Sequence, residues 1–260
     1  MHGIAAAQKP AGFVTRQRLQ KLIAAAGLCS RRKAELWLQQ GRVSVDQQQA
    51  GLGDQADPEH QLICVDGRPL PTLQRRRVLL VNKPIGVISS CMDPQGRPTV
   101  LDLVPSDQRG GLHPVGRLDA DSRGALLLSD VGELTLRLTH PRYDHRKTYR
   151  VWVEGQPSER TLQRWRNGVP LDGRSTRSAQ VRLLCCERQQ TLLEVVLQEG
   201  RNRQIRRVAD GLGHPVLDLQ RTAIAHVQLG DLPEGCWREL CEGEWRDLLE
   251  GEALRPGSCD

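Results

Sequence analysis

A loop carboxylate in the middle of the chain has the clearest potential for chemistry. The tetrapeptide Gly-Arg-Leu-Asp at 116–119 precedes an apolar run that begins at Ala125. Glycine permits an unusual backbone turn, and a carboxylate just ahead of a strand sits on a rigid support. The guanidinium of Arg117 favours the ionised form of Asp119, which can act as a nucleophile or as a base. An Arg-x-Asp pair on a loop is also a common structural salt bridge, so the tetrapeptide alone leaves both interpretations open.

Other kinds of chemistry find little support in the sequence. The eight cysteines form no C-x-x-C pair, whereas zinc sites favour close pairs with further ligands at set distances. We therefore predict reduced thiols and no metal. We also predict no small-molecule cofactor, because the sequence has no nucleotide-binding Gly-rich loop. No run approaches the roughly 18 apolar residues of a membrane-spanning helix, and residues 1–9 lack the apolar stretch of a secretory signal. We expect a soluble cytoplasmic protein with no membrane partner, acting as a monomer.

The positive charge is unevenly distributed along the chain. Residues 1–77 contain 12 Lys and Arg against 6 Asp and Glu, whereas residues 231–260 contain 3 against 9. Residues 78–230 contain 22 against 16, a further balance of +6. Clustered Lys and Arg suit a polyanionic partner, whose phosphates they neutralise. A generally arginine-rich surface explains the charge equally well, so charge alone does not identify the partner.

The N-terminal quarter of the chain predicts two short helices and short strands. Thr15 and Ser30 are suitable caps for the helices, and the residues at 43–45 and 62–65 read as strands. Basic residues surround the start of the second helix, where the helix dipole also favours phosphate. They are Arg16, Arg18, Lys21, Arg31, Arg32, Lys33 and Arg42. The alternative is a solvated basic face that binds no ligand.

Three short runs stand out in this quarter: RLQKL at 18–22, GLCSRR at 27–32 and GRVSV at 41–45. Together they resemble the S4-type RNA-binding domain. The resemblance covers about residues 16–75, and it implies that the basic residues add RNA affinity through backbone phosphates.

From Val78 onward the sequence predicts more strands than helices. Continuous apolar runs at 78–81 and 125–128 indicate buried strands, and the alternation of apolar residues at 149–153 indicates a half-buried one. Short helices are expected up to Leu138, from a Ser158 cap to about Arg166, and over 203–212. This order predicts an α+β fold with a mixed, mainly antiparallel sheet. We predict a flexible arm at 1–15, an S4-like domain at 16–75, a short linker and a catalytic domain at 78–250.

The loop tetrapeptide belongs to a longer run that resembles an enzyme signature. The run HPVGRLDADSRGALLLSD at 113–130 is similar to that of the RsuA/RluB/RluE/RluF family of ribosomal RNA pseudouridine synthases. Four other stretches match the family in its order along the chain. NKP-x-G at 82–86 precedes this run, and LTHP at 138–141, KTY at 147–149 and EGRNRQIRR at 199–207 come after it. Val208 stands where the family often has Met, which is a conservative change.

The resemblance implies roles for individual residues. Asp119 would be the essential carboxylate, Arg206 would pair with it, and Tyr149 would stack on the flipped uracil. Ile205 would form an apolar wall of the pocket, and Arg117 would steer the backbone or fill the gap that the flipped nucleotide leaves.

Further basic residues are expected to contact the substrate. Helical spacing places Arg203 and Arg207 on one face, away from Arg206, so we assign both to phosphate contacts. Lys147 lies in a basic run next to Tyr149 and is also expected to bind substrate. Lys83 is expected to be structural or phosphate-binding rather than catalytic. Simple solvation is the alternative for the exposed arginines.

The implied reaction turns uridine in structured ribosomal RNA into pseudouridine. It breaks the N1–C1′ bond, rotates the base and joins C5 to C1′, and it needs neither redox change nor energy input. Asp119 would act on the sugar as nucleophile or as base, and the sequence does not decide between them. The runs at 201–203 and 147–149 look more like the large-subunit enzymes, which favours 23S rRNA or its precursor over 16S rRNA.

Two rival functions remain open at the level of sequence. One is an S4-type ribosome assembly factor that has lost catalysis, although Asp119, Tyr149 and Arg206 are all present. The other is a hydrolase of the nucleoside bond, which would also use a carboxylate at C1′ but would release free uracil.

Overall fold

The computed structural model describes residues 16–71, 76–140, 142–143 and 145–250. The chain divides into two units, Met1–Gln74 and Arg75–Asp260. The predicted arm at 1–15, the Thr15 cap and most of the predicted linker lie outside the described residues. None of the helices in the described ranges is long and apolar enough to cross a bilayer.

The N-terminal unit combines two helices with short strands. Its elements are β1 (Gln17–Arg18), α1 (Leu19–Ala25), α2 (Arg31–Gln39), β2 (Val43–Val45), β3 (Gln48–Gln49), β4 (Gln55–Ala56), β5 (Ile63–Val65) and β6 (Arg68–Pro69). Ser30 caps α2 as predicted, because its hydroxyl accepts a hydrogen bond from the Lys33 amide at 3.3 Å. Helix α1 begins later than the predicted cap, at Leu19, because the two residues before it pair with β4 as a strand.

The core of this unit lies between the two helices and a sheet in the order β3-β2-β5-β6. The helices contribute residues at helical spacing, and the strands contribute their alternate residues. The fully buried members include Leu19, Leu22, Ile23, Ala34, Leu38 and Val43. The sequence pattern therefore accounts for this packing directly.

The C-terminal unit contains most of the strands. Its elements are β7 (Val78–Lys83), β8 (His113–Val115), β9 (Arg123–Ser129), α3 (Gly132–Thr139), β10 (Lys147–Glu154), α4 (Glu159–Asn167), β11 (Pro170–Leu171), β12 (Arg174–Ser175), β13 (Gln180–Cys186), β14 (Gln190–Leu197), α5 (Gln204–Gly211), β15 (Val216–Ile224), β16 (Val227–Gln228), β17 (Trp237–Glu239) and α6 (Glu242–Glu250). Two 3-10 helices, Val100–Leu103 and Ser106–Gln108, lie between β7 and β8.

One long sheet organises this unit. Its strand order is β13-β14-β10-β15-β9-β7-β17, with β8 also paired to β9 and β16 to β15. The pair of β15 and β9 is parallel, and the other pairs of this sheet in the described residues are antiparallel. The predicted α+β class with a mixed, mainly antiparallel sheet is confirmed.

Strands β7 and β9 are buried on both faces of the sheet. Val78 and Leu80 pack in a cluster with side chains of α3 and α6, whereas Leu79 and Val81 pack on the opposite face. Burial on both faces explains the continuous apolar runs of these strands. Strand β10 alternates instead, with buried residues facing a cluster formed with α4 and α5.

Candidate active site

Asp119 lies on the loop between β8 and β9, and the segment after β7 holds that loop. The Ser89 hydroxyl donates to the Leu118 carbonyl at 2.8 Å and accepts from the Leu118 amide at 3.1 Å. The Gly86 amide donates to the Ala120 carbonyl at 2.7 Å. The backbone is therefore fixed on both sides of Asp119, whose side chain is 33% exposed.

Lys83, at the end of β7, binds the backbone of the segment that follows this strand. It is fully buried, and its amine donates to the carbonyls of Pro84 at 2.7 Å and Val87 at 2.9 Å. Burial lowers the pKa of Lys83 to about 8, although the carboxylates of Asp121 and Asp119 act in the opposite direction. A buried amine with these partners does not reach a phosphate. Of the two roles predicted for Lys83, the structural one fits the geometry.

Arg203 is the guanidinium nearest to Asp119. It caps α5 with a left-handed backbone, φ 48°, and its Nη1 lies 3.7 Å from Asp119 Oδ2. The same guanidinium forms a bidentate pair with Asp121, with distances of 2.7 and 3.1 Å. These hydrogen bonds lower the pKa of Asp121, so its carboxylate stays ionised.

Arg206 contacts Asp121 and not Asp119 in this structure, so its pairing with Asp119 stays a prediction. Its Nε lies 3.3 Å from Asp121 Oδ2, and its Nη2 donates to the Asp121 carbonyl at 2.6 Å. Arg206 sits in the first turn of α5 and reaches the backbone of the loop beyond Asp119. Arg203, at the N-cap before the helix, comes closer to Asp119 than Arg206 does.

The two arginines predicted to contact phosphate, Arg203 and Arg207, form ion pairs with carboxylates in this structure. Because Arg203 is not helical, it does not share a face with Arg207 as the spacing rule required. The guanidinium of Arg207 forms a bidentate pair with Asp172, with one distance of 2.9 Å. Both arginines are paired with carboxylates here, and their contacts with phosphate stay a prediction.

An apolar cluster lies beside the loop. Tyr149 on β10 is 8% exposed and packs in one cluster with Leu118 and Ile205. Its strand neighbours are Val195 on β14 and Arg221 on β15. The structure thus brings the predicted aromatic and the predicted apolar wall to the residue that precedes the candidate carboxylate.

Two other predicted residues lie at the rim. Arg117 is exposed, and within the described residues it makes no ion pair, so Arg203 takes the place predicted for it beside Asp119. Lys147 begins β10, where its amine lies 3.4 Å from the His145 carbonyl.

Sequence reasoning missed several supports of the site. Asp121 belonged to the signature run but received no role. Gly124 adopts φ +106°, and a Cβ there would lie 2.2 Å from the Arg221 carbonyl, so glycine permits the close approach of β9 and β15. A second carboxylate near a candidate acid and a glycine at a strand start were the available signals.

The basic face of the N-terminal unit is partly paired. Arg42 forms a bidentate pair with Asp66 and lies 4.7 Å from the centre of the Trp37 ring. Lys33 lies 5.7 Å from the same ring. The side chain of Arg18 donates to the Gly53 carbonyl. Arg16, Lys21, Arg31 and Arg32 are exposed.

Comparison with known proteins shows which family the sequence belongs to. The sequence model described as RNA pseudouridylate synthase matches residues 77–210, just over half of the chain. This chain belongs to the RNA pseudouridine synthase family. An S4 domain model matches residues 17–62, so this pseudouridine synthase has an S4 domain ahead of its catalytic sheet.

Named relatives and a solved structure agree with this assignment. The ribosomal large subunit pseudouridine synthase B of Bacillus subtilis is 38% identical over 228 residues, which cover 86% of this chain and 92% of that protein. The dual-specificity RNA pseudouridine synthase RluF of Escherichia coli is 34% identical over 225 residues, which cover 86% of this chain and 75% of that protein. A crystal structure of a pseudouridylate synthase superposes with a TM-score of 0.64 at 28% identity, over 89% of this chain and 99% of the other.

Proposed function

We propose that this pseudouridine synthase isomerises a specific uridine of ribosomal RNA and that Asp119 is its catalytic carboxylate. One observation carries the proposal. Asp119 is partly exposed on a loop that Ser89 and Gly86 fix on both sides, between an apolar cluster and the Arg203 guanidinium. A fixed carboxylate beside an apolar aromatic wall suits a base that has left its stack.

The reaction assigns a task to each side of this arrangement. Asp119 acts at the sugar, as nucleophile or as base, while the N1–C1′ bond breaks and the uracil turns to present C5. Tyr149 and Ile205 hold the detached uracil between an aromatic face and an apolar wall. Because Tyr149 is only 8% exposed, the side chains that cover it must move aside before it can stack on a base.

The basic residues divide by their engagement in the folded chain. Arg117 is exposed and unpaired among the described residues, so it is the best placed to contact the RNA backbone or fill the vacated stack. Lys147, at the start of the strand that carries Tyr149, is proposed to bind substrate phosphate. Arg203 and Arg206 instead tie α5 to the catalytic loop through Asp121.

The N-terminal basic residues are proposed to add affinity through phosphates of structured rRNA. We take residues 16–75 as the RNA-binding domain and residues 78–250 as the catalytic domain of a monomer. Large-subunit rRNA is the proposed substrate, since the Bacillus subtilis relative is named for the large subunit and the runs at 147–149 and 201–203 favour those enzymes.

The test maps pseudouridine in rRNA from cells that lack the protein, by carbodiimide modification and primer extension. Cells complemented with wild type, Asp119→Asn or the matched control Asp107→Asn are mapped alongside. Asp107 is an exposed carboxylate on the 3-10 helix before β8. We expect one site to vanish without the protein and to return with wild type and Asp107→Asn only. Restoration by Asp119→Asn would remove Asp119 from the chemistry, and free uracil in the purified reaction would indicate a hydrolase.

A further inference from the structure

Asp121 anchors both arginines that α5 directs at the catalytic loop. Its carboxylate binds Arg203 through two hydrogen bonds of 2.7 and 3.1 Å and lies 3.3 Å from Arg206 Nε. Its main-chain carbonyl accepts from Arg206 Nη2 at 2.6 Å. Asp121 stands two residues after Asp119, and a turn in which the Ser122 amide donates to the Asp119 carbonyl at 3.1 Å joins the two.

The Arg203 guanidinium binds Asp121 more closely than it binds Asp119. Its contact with Asp119 is 3.7 Å, which is longer than a hydrogen bond, whereas both of its contacts with Asp121 are hydrogen bonds. Arginine and a carboxylate normally close into a bidentate pair that occupies both oxygens. Such a pair on Asp119 would cover the atoms that must reach the sugar. Asp121 takes up the hydrogen-bonding edge of Arg203 and leaves Asp119 with the charge alone.

Arg206 gives the anchor its rigidity. Its side chain is only 15% exposed, and it also approaches the Val216 carbonyl at 3.4 Å and the Ser122 hydroxyl at 3.5 Å. Its Nε is buried without a well-aligned acceptor, so Asp121 Oδ2 is its nearest counter-charge. Loss of the Asp121 charge would therefore release Arg203 and leave Arg206 buried without that counter-charge.

We propose that Asp121 is a positioning residue that holds Arg203 near Asp119 without letting it close onto the Asp119 oxygens. This inference rests on the proposed role of Asp119 and concerns the same reaction. Asp121 does not touch the substrate; it acts through Arg203.

The test compares Asp121→Asn with wild type on the rRNA substrate in single turnover. We expect the rate of the bound complex to fall on the order of 10–100-fold with little change in RNA affinity, because the reacting group is obstructed while the RNA contacts remain. Asp121→Glu, which restores the charge, should recover part of the rate.

The matched control is Glu244→Gln. Glu244 holds Arg238 through two hydrogen bonds of 2.9 and 3.1 Å at similar exposure, but it lies at α6, away from the loop. It should leave the single-turnover rate within about twofold of wild type. Melting temperatures of both variants separate a fold defect from a defect in positioning.

A double-mutant cycle identifies Arg203 as the agent. In the Arg203→Gln background, the rate loss caused by Asp121→Asn should shrink by at least about threefold, because no guanidinium remains to close onto Asp119. Arg203→Lys replaces Arg203→Gln in the cycle if the latter is too slow to assay, since an ammonium cannot form the bidentate pair.

The outcomes separate the two proposals. If Asp119→Asn is as active as wild type, the proposed function fails. If Asp119→Asn is inactive and Asp121→Asn stays within twofold of wild type, the positioning role alone is refuted. An equal loss from Asp121→Asn in both Arg203 backgrounds, accompanied by a lowered melting temperature, would also refute it, because the role would then be structural.

Discussion

Ser89→Ala tests whether the segment after β7 positions the loop that carries Asp119, the proposed catalytic carboxylate. Ser89 is 8% exposed, and its hydroxyl bonds both the amide and the carbonyl of Leu118, a residue that is also 8% exposed. Alanine leaves both groups without this partner inside the protein. Each buried polar group left unsatisfied costs about 1–3 kcal/mol, so for the two groups we expect a loss of about 2–6 kcal/mol in the free energy of unfolding.

Ser90→Ala is the matched control, one residue further along. Its hydroxyl also bonds one amide and one carbonyl, both of Met92, but Met92 is 78% exposed and water can replace these bonds. This variant should lose less than about 0.5 kcal/mol. Urea denaturation followed by tryptophan fluorescence measures both variants against wild type.

The activity of Ser89→Ala should fall by more than the loss of folded protein alone would explain. Leu118 precedes Asp119, and a displacement of a reacting group by about 1 Å can cost on the order of 100-fold in rate. Single-turnover rates on saturating RNA should therefore drop by about tenfold or more for Ser89→Ala and stay unchanged for Ser90→Ala. Equal stability and equal rates for the two variants would refute the claim that Ser89 holds the loop.

Two further substitutions test the supports of the site. Gly124→Ala should lower the free energy of unfolding in urea by about 3 kcal/mol or more, because its Cβ would lie 2.2 Å from the Arg221 carbonyl. The control Gly211→Ala, at an open helical position, should raise it by up to about 1 kcal/mol, and comparable values for the two variants would contradict the close-packing argument. Lys83→Met should remove a pH dependence. The folded-state pKa of Lys83, about 8, lies below its ordinary value of 10.5, so the unfolded chain binds more protons between these values and wild-type stability should rise by about 3 kcal/mol from pH 8 to 10.5. Parallel stability curves for wild type and Lys83→Met over this range would show that the amine is not desolvated as the structure indicates.

The elements that the sequence predicts well are those whose pattern is local. Strand β10 alternates and β7 is continuously apolar, and Ser158 caps α4 by accepting from the Thr161 amide at 3.2 Å. Strand β15 escaped prediction because polar residues interrupt it. One of them, Arg221, is buried and donates from Nε to the Ala125 carbonyl at 2.6 Å, a partner nearly a hundred residues away that no local pattern reveals.

The candidate site shows the same limit. The sequence run places Asp119 just before a strand, and the fold brings Tyr149 and Ile205 to a common cluster beside it. The choice between Arg203 and Arg206 could not be made from spacing, because the helical rule assumes that both are helical. Arg203 has a left-handed backbone, and its guanidinium lies 3.7 Å from Asp119.

The sequence runs that mark this family do different physical work. The run at 82–86 contributes Lys83 and Gly86, whose amine and amide donate to backbone carbonyls of the chain around the Asp119 loop. Substitutions there should change the rate of the bound complex more than the affinity for RNA. Substitutions of the exposed basic residues of the S4 domain should do the reverse, because they weaken the electrostatic part of the RNA affinity and leave the geometry at Asp119 unchanged. Rate and affinity should therefore be separable by mutation.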